Sequence, residues 1–384
     1  MSTPLSIVMI HQGAELYGSD RSFLSALNAM RDRHPDALID VVLPEPGPLV
    51  DLVARHASRI LYDEYGVLRK KKLKARPLRT AMNMGRTWLR YRRMFRRYDI
   101  CYVNTVVCVA AIAALRARRG DAYVHVREIP SGLAARAFRA LLGFSRAALI
   151  YNSHATAAAF RLPGTVIHNG VEVNGRAAAV AKRADRALRL VIIGRINPWK
   201  GQQFVLDALR TRGRGLPVEV RIVGDVFPGY EAVLDQLRET ASRCDVVVEI
   251  MGFTNDPAEH YAWADFVVVP SILPEPFGRV AIESFACGRP VIASAAGGLT
   301  EIVTDKVTGL LFEPNDAGDF LRAIDDALSM TAEEHERMAD IARQRYMNGF
   351  TVETYMDAIA DTVQPVRGMG KGPKDVGGLR RETR

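Results

Sequence analysis

The stretch that most limits the fold of this chain is residues 266–293, which contains a predicted strand, a helix and a second strand. Residues 266–271 form an apolar run typical of a strand that is buried in a parallel sheet. A helix is predicted from about Gly278, and its apolar positions can face that sheet. Gly288 and Pro290 end the helix, and residues 291–293 begin the next strand. This order indicates a parallel α/β sheet.

The rest of the chain repeats this alternation of strands and helices. With 384 residues, of which 48% are hydrophobic, the chain is long enough for two α/β domains with separate cores. Further strands are predicted near residues 6–10, 40–44, 99–104, 122–128, 149–153, 190–194, 218–225, 246–254 and 309–312. We therefore predict two doubly wound α/β domains facing each other across a cleft.

Composition excludes several classes of protein. Cys101, Cys108, Cys244 and Cys287 form no CxxC pair or zinc spacing, which favours reduced thiols in a cytoplasmic protein. No segment reaches 18 apolar residues, and the first residues lack the basic region and cleavage site of a signal peptide. We expect neither a membrane span nor secretion. The net charge of +9 indicates an anionic partner.

Two glutamates lie on either side of the predicted helix start. Glu275 belongs to the loop and Glu283 to the helix, so their carboxylates are about 9–12 Å apart along the helix axis. That separation is too long for a shared proton, but it suits the two ends of a hydroxyl-rich ligand. The helix N-terminus between them favours a phosphate, so the pair indicates a nucleotide-sugar. Either glutamate alone is equally well explained as an ordinary loop residue or a solvated helix residue.

Residues 69–97 form the most basic segment, with thirteen lysines and arginines and no acidic residue. Leucine, methionine and aromatic residues are interleaved with them. An anionic membrane surface holds such a helix through apolar burial and about 1 kcal/mol per basic residue. The alternative is a pair of solvated helices whose arginine stems pack on the core. No nucleic-acid recognition motif accompanies the charge, so we expect a membrane surface and no nucleic acid.

The stretch around the two glutamates resembles a family signature. A glutamate, seven further residues and a second glutamate, followed by Gly288 and the run Pro290-Val291-Ile292-Ala293, are similar to the motif of the retaining glycosyltransferases of GT-B fold, family 4 (glycosyl transferases group 1). The resemblance implies that Glu275 contacts the transferred sugar and that Glu283 holds the ribose hydroxyls.

Other segments resemble the same family. Residues 18–24 are similar to a glycine-rich loop that faces the donor phosphates, with Ser19 in place of a glycine. His125 resembles the histidine beside the transferred sugar, and Arg127 and Glu128 are alternatives to it. Residues 194–201 resemble the pyrophosphate-binding motif. The implied catalytic residues are His125, Arg195, Lys200 and Glu275, and the implied donor-binding residues are Gly18, Ser19, Gly194, Phe253, Phe277, Gly278 and Glu283.

The implied fold is GT-B, with two Rossmann-like domains. The predicted divisions are an N-terminal acceptor-side domain over 1–172, a linker over 173–187, a nucleotide-sugar-binding domain over 188–348, a helix over 349–364 that crosses back to the first domain and a disordered tail over 365–384.

The resemblance implies transfer of a hexosyl unit from a UDP- or GDP-sugar to a hydroxyl of a glycan, glycolipid or small glycoside, with retention of anomeric configuration, in cell-surface glycan or glycolipid synthesis. Arg195 and Lys200 would stabilise the charge on the departing diphosphate. No predicted strand ends in an Asp-x-Asp metal clamp, so we expect no metal and no other cofactor. No residue is nominated as general base. The expected location is the cytoplasm, at the inner face of the cell membrane if segment 69–97 binds it.

Two alternatives stay open. A nucleotide-sugar 2-epimerase of the same fold would need further carboxylates and histidines, and only His125 is evident. A non-catalytic nucleotide-sugar-binding or membrane-binding protein would release no nucleoside diphosphate. An NAD-dependent dehydrogenase is disfavoured because no G-x-G-x-x-G follows the first strand.

Overall fold

The structure is a computed structural model that describes residues 4–69, 77–118, 121–172, 186–213, 215–226, 229–254 and 256–365 and the backbone of 380–381. The chain divides into two compact units. The first comprises Met1–Gly170 and Val352–Arg384, and the second comprises Val171–Thr351. The predicted linker lies outside the described residues except Arg186 and Ala187, and so does most of the predicted tail.

The first unit begins with seven strands connected by helices. They are β1 (Ser6–Ile10), α1 (Gly18–Arg33), β2 (Leu38–Leu43), α2 (Leu49–Ala54), β3 (Arg59–Tyr62), α3 (Pro77–Met94), a 3-10 turn (Phe95–Arg97), β4 (Ile100–Asn104), α4 (Val109–Leu115), β5 (Asp121–Val126), α5 (Gly132–Ser145), β6 (Ala148–Tyr151), α6 (His154–Phe160) and β7 (Thr165–Val166). These seven strands are parallel.

The second unit has a six-stranded parallel sheet. Its elements are β8 (Leu188–Ile193), a 3-10 turn (Pro198–Lys200), α7 (Gln202–Arg212), β9 (Val218–Val223), α8 (Glu231–Ser242), β10 (Val247–Met251), α9 (Ala258–Trp263), β11 (Phe266–Val269), α10 (Arg279–Ala286), β12 (Val291–Ser294), α11 (Leu299–Ile302), β13 (Gly309–Phe312), α12 (Ala317–Ser329) and α13 (Ala332–Gly349). The chain then returns to the first unit with α14 (Val352–Thr362), which packs on α1, and β14 (Arg380–Arg381), which pairs antiparallel with β3.

Both sheets carry a hydrophobic core on each face. Along β1, Ile7 and Met9 join one core cluster while Val8 and Ile10 join the other, as the two-residue period of a strand requires. In the second unit, Leu190 and Val191 of β8 likewise belong to two different core clusters on opposite faces of the sheet. Helices therefore cover both faces of each sheet, and the prediction of two doubly wound α/β domains is confirmed.

The strand orders place one reversal point in each sheet. The first sheet runs β14-β3-β2-β1-β4-β5-β6-β7, and the second runs β10-β9-β8-β11-β12-β13. The connections leave in opposite directions from β1 and β4, and again from β8 and β11. Open α/β sheets bind ligands beyond the carboxyl ends of the strands at such a reversal. A ligand site is therefore expected at the ends of these two strand pairs.

Candidate active site

In the second unit, two loops begin at the reversal between β8 and β11. The loop after β8 contains Arg195 and Lys200, and the loop after β11 contains Glu275. The Lys200 Nζ donates to both carboxylate oxygens of Glu275, at 2.9 Å and 2.8 Å. Three of the four predicted catalytic residues thus belong to these two loops, and two of them form an ion pair. The fourth, His125, belongs to the first unit.

Glu275 is a fixed and ionised carboxylate. Only 16% of its side chain is exposed, and Oε2 also accepts from the Ser271 Oγ at 2.7 Å. Burial raises the pKa of Glu275, but the charge of Lys200 and the hydrogen bonds from Lys200 and Ser271 outweigh burial, so the pKa lies below the usual value. Ser294, at the end of β12, donates to the Ser271 carbonyl at 2.8 Å. Sequence reasoning missed both serines.

Close backbone contacts hold the two loops in place. Gly201 has φ +78°, and a Cβ there would lie 1.9 Å from the Pro270 carbonyl oxygen. The Ile272 N–H donates to the Trp199 carbonyl at 3.0 Å, and the Asn197 side chain accepts from the Lys200 N–H at 3.0 Å. Glycine is required at 201 because any side chain would push the loop of Lys200 away from the loop of Glu275.

Gly297 and Gly298 support the Glu275 loop from the other side. Gly297 has φ +63°, and a Cβ there would lie 2.2 Å from the Glu275 carbonyl oxygen. The Gly298 N–H donates to that same oxygen at 2.7 Å. A Cβ on Gly298 would lie 2.6 Å from the Phe277 carbonyl oxygen. These two glycines let the chain pack directly on the backbone that carries Glu275.

Glu283 lies on α10 with both carboxylate oxygens engaged. The Arg279 Nε donates to Oε1 at 2.8 Å, and the Tyr261 hydroxyl donates to Oε2 at 3.0 Å. Burial and the charge of Glu283 raise the pKa of Tyr261 well above its usual value, so the phenol remains a neutral donor. The Glu283 side chain is 19% exposed. It therefore presents a fixed acceptor to a ligand.

The other donor-binding residues predicted in this unit differ in their surroundings. Gly194 has φ +140° and open space where a Cβ would stand, and Phe253 is 58% exposed. Gly278 is the N-cap of α10 with φ +107°. Phe277 is buried against Phe350, with ring centroids 6.2 Å apart. Its side chain belongs to the core, so only its backbone is available to a ligand.

In the first unit, Gly18 and Ser19 begin α1, and the next residue joins a buried polar cluster. Asp20 accepts from the His11 Nε2 at 2.6 Å and from the Tyr17 N–H at 2.9 Å. The His11 Nδ1 in turn lies 2.8 Å from the Asn104 Nδ2. Sequence reasoning missed His11 and Asn104, which end up adjacent because β1 and β4 pair. The one sequence signal for a site at these residues was their position, since His11 follows one predicted strand and Asn104 ends another.

His125 lies at the end of β5 and is fully buried. Its Nδ1 is 2.6 Å from the Tyr102 hydroxyl and 3.2 Å from the Arg127 Nη2. Burial and the charge of Arg127 lower the pKa of His125 well below its usual value, so the ring is neutral. Of its alternatives, Arg127 contacts His125 directly. Glu128 accepts the Val106 N–H at 3.2 Å and the Arg127 N–H at 3.1 Å.

Comparison with known proteins shows the fold and gives a family match for part of the chain. A crystal structure of Anabaena HepE in complex with UDP and glucose has a TM-score of 0.74 at 24% identity, covering 93% of this chain and 99% of HepE. Sucrose-phosphate synthase from Thermosynechococcus elongatus has a TM-score of 0.71 at 21% identity, covering 93% and 98% of the two chains. The chain therefore has the GT-B fold, as predicted. Residues 177–345, which are 44% of the chain, match the model of the family glycosyl transferases group 1.

Curated relatives match this chain over part of their length. D-inositol 3-phosphate glycosyltransferase from Paenarthrobacter aurescens is 30% identical over 204 residues, which cover 48% of this chain and 50% of the relative. The protein of that name from Mycobacterium bovis is 32% identical over 206 residues, covering 50% and 42%. This chain thus matches about half of the length of these relatives.

Proposed function

We propose that this protein is a retaining, metal-independent hexosyltransferase of family 4 that uses a UDP- or GDP-sugar and a hydroxyl acceptor. The Lys200–Glu275 pair at the reversal point of the second sheet carries this proposal. It combines a cation for a diphosphate with an ionised acceptor for sugar hydroxyls. The family match and the names of the relatives support a transferase, and the UDP and glucose bound to HepE support the class of donor.

Each side chain then has a distinct part in the reaction. As the bond from the sugar C1 to the diphosphate breaks, negative charge grows on the leaving phosphate, and Lys200 and Arg195 stabilise it. Glu275 accepts hydrogen bonds from the sugar hydroxyls and is held in position by Ser271. Glu283 accepts from the ribose hydroxyls while Arg279 and Tyr261 fix its oxygens. The proposal assigns no general base and no cofactor.

Nucleoside diphosphate release tests the proposal. UDP-hexoses and GDP-hexoses should be tried with D-inositol 3-phosphate, glycan and glycolipid acceptors, without added metal. We expect release that depends on one donor and one acceptor, and a product whose anomeric proton coupling matches that of the donor. Conversion of the donor to its epimeric nucleotide-sugar, with no acceptor dependence and no net release, would indicate the 2-epimerase. Binding with neither release nor epimerisation would indicate a non-catalytic protein.

We also propose that the acceptor lies at a membrane surface, and the observations that support this concern α3. No helix in the described ranges is long and apolar enough to span a membrane. On the outer face of α3, Leu78 is 87% exposed, Met82 is 54% exposed and Leu89 is 44% exposed. The exposed arginines beside this apolar stripe are Arg79, Arg86, Arg92 and Arg93. An apolar stripe with a basic border is the pattern of a helix lying in an anionic interface.

The structure also shows which basic residues of segment 69–97 serve the fold. The Arg90 Nη1 lies 3.6 Å from the Asp63 Oδ2, and Asp63 is buried. Tyr91 and Met94 lie on the opposite face of α3 and are buried in the core. The predicted basic positions at 70–76 lie outside the described residues. A charge-removal experiment should therefore leave Arg90 in place.

Replacing Arg79, Arg86 and Arg93 together with glutamine should weaken binding to phosphatidylglycerol vesicles. At about 1 kcal/mol per charge, the loss should be roughly 100-fold. Vesicle co-sedimentation at low and high salt measures it. Leu78→Gln should also weaken vesicle binding because it removes the 87% exposed leucine of the apolar stripe, and Leu133→Gln, which changes an 80% exposed leucine on α5, is its matched control. Binding that is unchanged in the triple variant would refute the membrane assignment.

A further inference from the structure

Arg127 lies at the centre of a buried polar cluster beyond the ends of β4 and β5. It is 7% exposed, and its Nε donates to the Asn104 Oδ1 at 2.7 Å. The Nη2 donates to the Tyr355 hydroxyl at 2.8 Å and to the His125 Nδ1 at 3.2 Å, and the Nη1 donates to the Asn169 Oδ1. Within the described ranges, no carboxylate forms an ion pair with this guanidinium. The cation is therefore held by neutral acceptors alone.

The contact between Arg127 and His125 determines where the imidazole carries its proton. A guanidinium has no acceptor atom and does not lose its proton in a protein, so Nη2 can only donate. The His125 Nδ1 must then offer its lone pair, and the ring proton resides on Nε2. The Tyr102 hydroxyl, 2.6 Å from the same Nδ1, could donate or accept and does not decide the tautomer.

We propose that Arg127 is a positioning residue that holds His125 as the neutral tautomer with its proton on Nε2, so that this N–H is the donor offered to a sugar hydroxyl beyond the end of β5. The inference rests on the proposed function. The His125 Nε2 is buried and has no hydrogen-bond partner among the described residues. A buried unpaired N–H is unfavourable, and an oxygen of a bound sugar would satisfy it.

The surroundings of His125 keep the ring neutral across the physiological range. Tyr102 faces it from β4, and Tyr355 faces it from α14 with ring centroids 6.3 Å apart. Ile150 is its partner in register on β6. Among these neighbours, Arg127 is the one permanent charge, and a second positive charge beside it is disfavoured. Burial and Arg127 both lower the pKa of His125. The Nε2 donor should therefore persist through the pH at which an exposed histidine becomes protonated.

Nitrogen NMR of the full-length protein labelled with ¹⁵N-histidine tests this assignment without a substrate. The shifts of Nδ1 and Nε2 distinguish the two neutral tautomers and the imidazolium, and the spectrum of His125→Gln identifies the His125 signals. We expect a single Nε2–H tautomer in the native protein. Tyr102→Phe should keep it, because Arg127 remains. Arg127→Lys should keep it as well, because an ammonium also cannot accept.

Arg127→Gln should change both the tautomer and the titration of His125. A carboxamide can donate or accept, so a mixture of tautomers should appear, and the pKa should move toward its usual value because the positive charge is gone. A single Nε2–H tautomer with unchanged titration in Arg127→Gln would overturn the proposal. A tautomer change in Tyr102→Phe would also overturn it, and this second test stands if Arg127→Gln does not fold.

Kinetics separate this inference from the proposed function. In an active transferase, Arg127→Gln should lower kcat and leave UDP affinity unchanged, because UDP is assigned to the second unit. If the NMR results hold but no sugar donor is turned over, Arg127 keeps its positioning role and the transferase proposal fails. If transfer occurs but the His125 tautomer is unchanged in Arg127→Gln, the transferase proposal stands and this inference is wrong.

Discussion

Glu275→Gln should reduce transfer by about 10²–10³-fold, the loss typical of removing one preorganised electrostatic group from an active site. The change keeps the size of the side chain but removes the charge that Lys200 neutralises and that sugar hydroxyls would contact. Initial rates of nucleoside diphosphate release measure the effect. UDP or GDP affinity should change by less than about threefold, under about 0.7 kcal/mol, because Glu275 is assigned to the sugar.

A matched control separates this effect from a general change of charge. Glu239→Gln removes a carboxylate on α8 that is 60% exposed and pairs with Arg243 at 2.6 Å, so the rate should be unchanged. If Glu275→Gln lowered nucleotide affinity as much as it lowers the rate, Glu275 would hold the nucleotide instead of the sugar.

Gly297→Ala should both destabilise the second unit and lower the activity. The new Cβ would lie 2.2 Å from the Glu275 carbonyl oxygen and 2.7 Å from the Glu275 nitrogen, so the loop carrying that carboxylate must move. The backbone contributes a left-handed strain of about 1–2 kcal/mol, and overpacking adds about 1–3 kcal/mol. Urea unfolding and initial rates on the full chain measure the two consequences.

Gly288→Ala is a close control for this prediction. Gly288 has φ +65° against +63° for Gly297, but a Cβ at 288 meets no atom within 4 Å. Both variants therefore share the left-handed strain, and only Gly297→Ala adds the clash with the Glu275 loop. Equal losses of stability in the two variants would show that the contact with Glu275 contributes nothing.

The sequence predicted the parts of the site that depend on local order. A strand, a loop with Glu275 and a helix starting near Gly278 follow from apolar runs and from glycine and proline positions, and the structure has α10 beginning at Arg279. The glycine and basic residues after β8 were found in the same way. In each case the signal lies close in sequence to the candidate side chain.

The missed parts depend on which strands are neighbours. Ser271 is predictable as a strand end, but its hydrogen bond to Glu275 depends on how the loop folds back. His11 meets Asn104 across 93 residues because β1 pairs with β4. The Phe277 side chain packs on Phe350, which follows α13. No local pattern of residues reports such contacts.

Calorimetric titration of UDP and of GDP without added metal tests the central claim most directly. We predict that the native protein binds one nucleotide and that Glu283→Gln weakens it by about tenfold, since hydrogen bonds to a charged group contribute about 1.5–3 kcal/mol and glutamine retains part of them. Glu239→Gln should bind like the native protein. If neither nucleotide binds the native protein, the assignment of the second unit as a nucleotide-sugar site is contradicted.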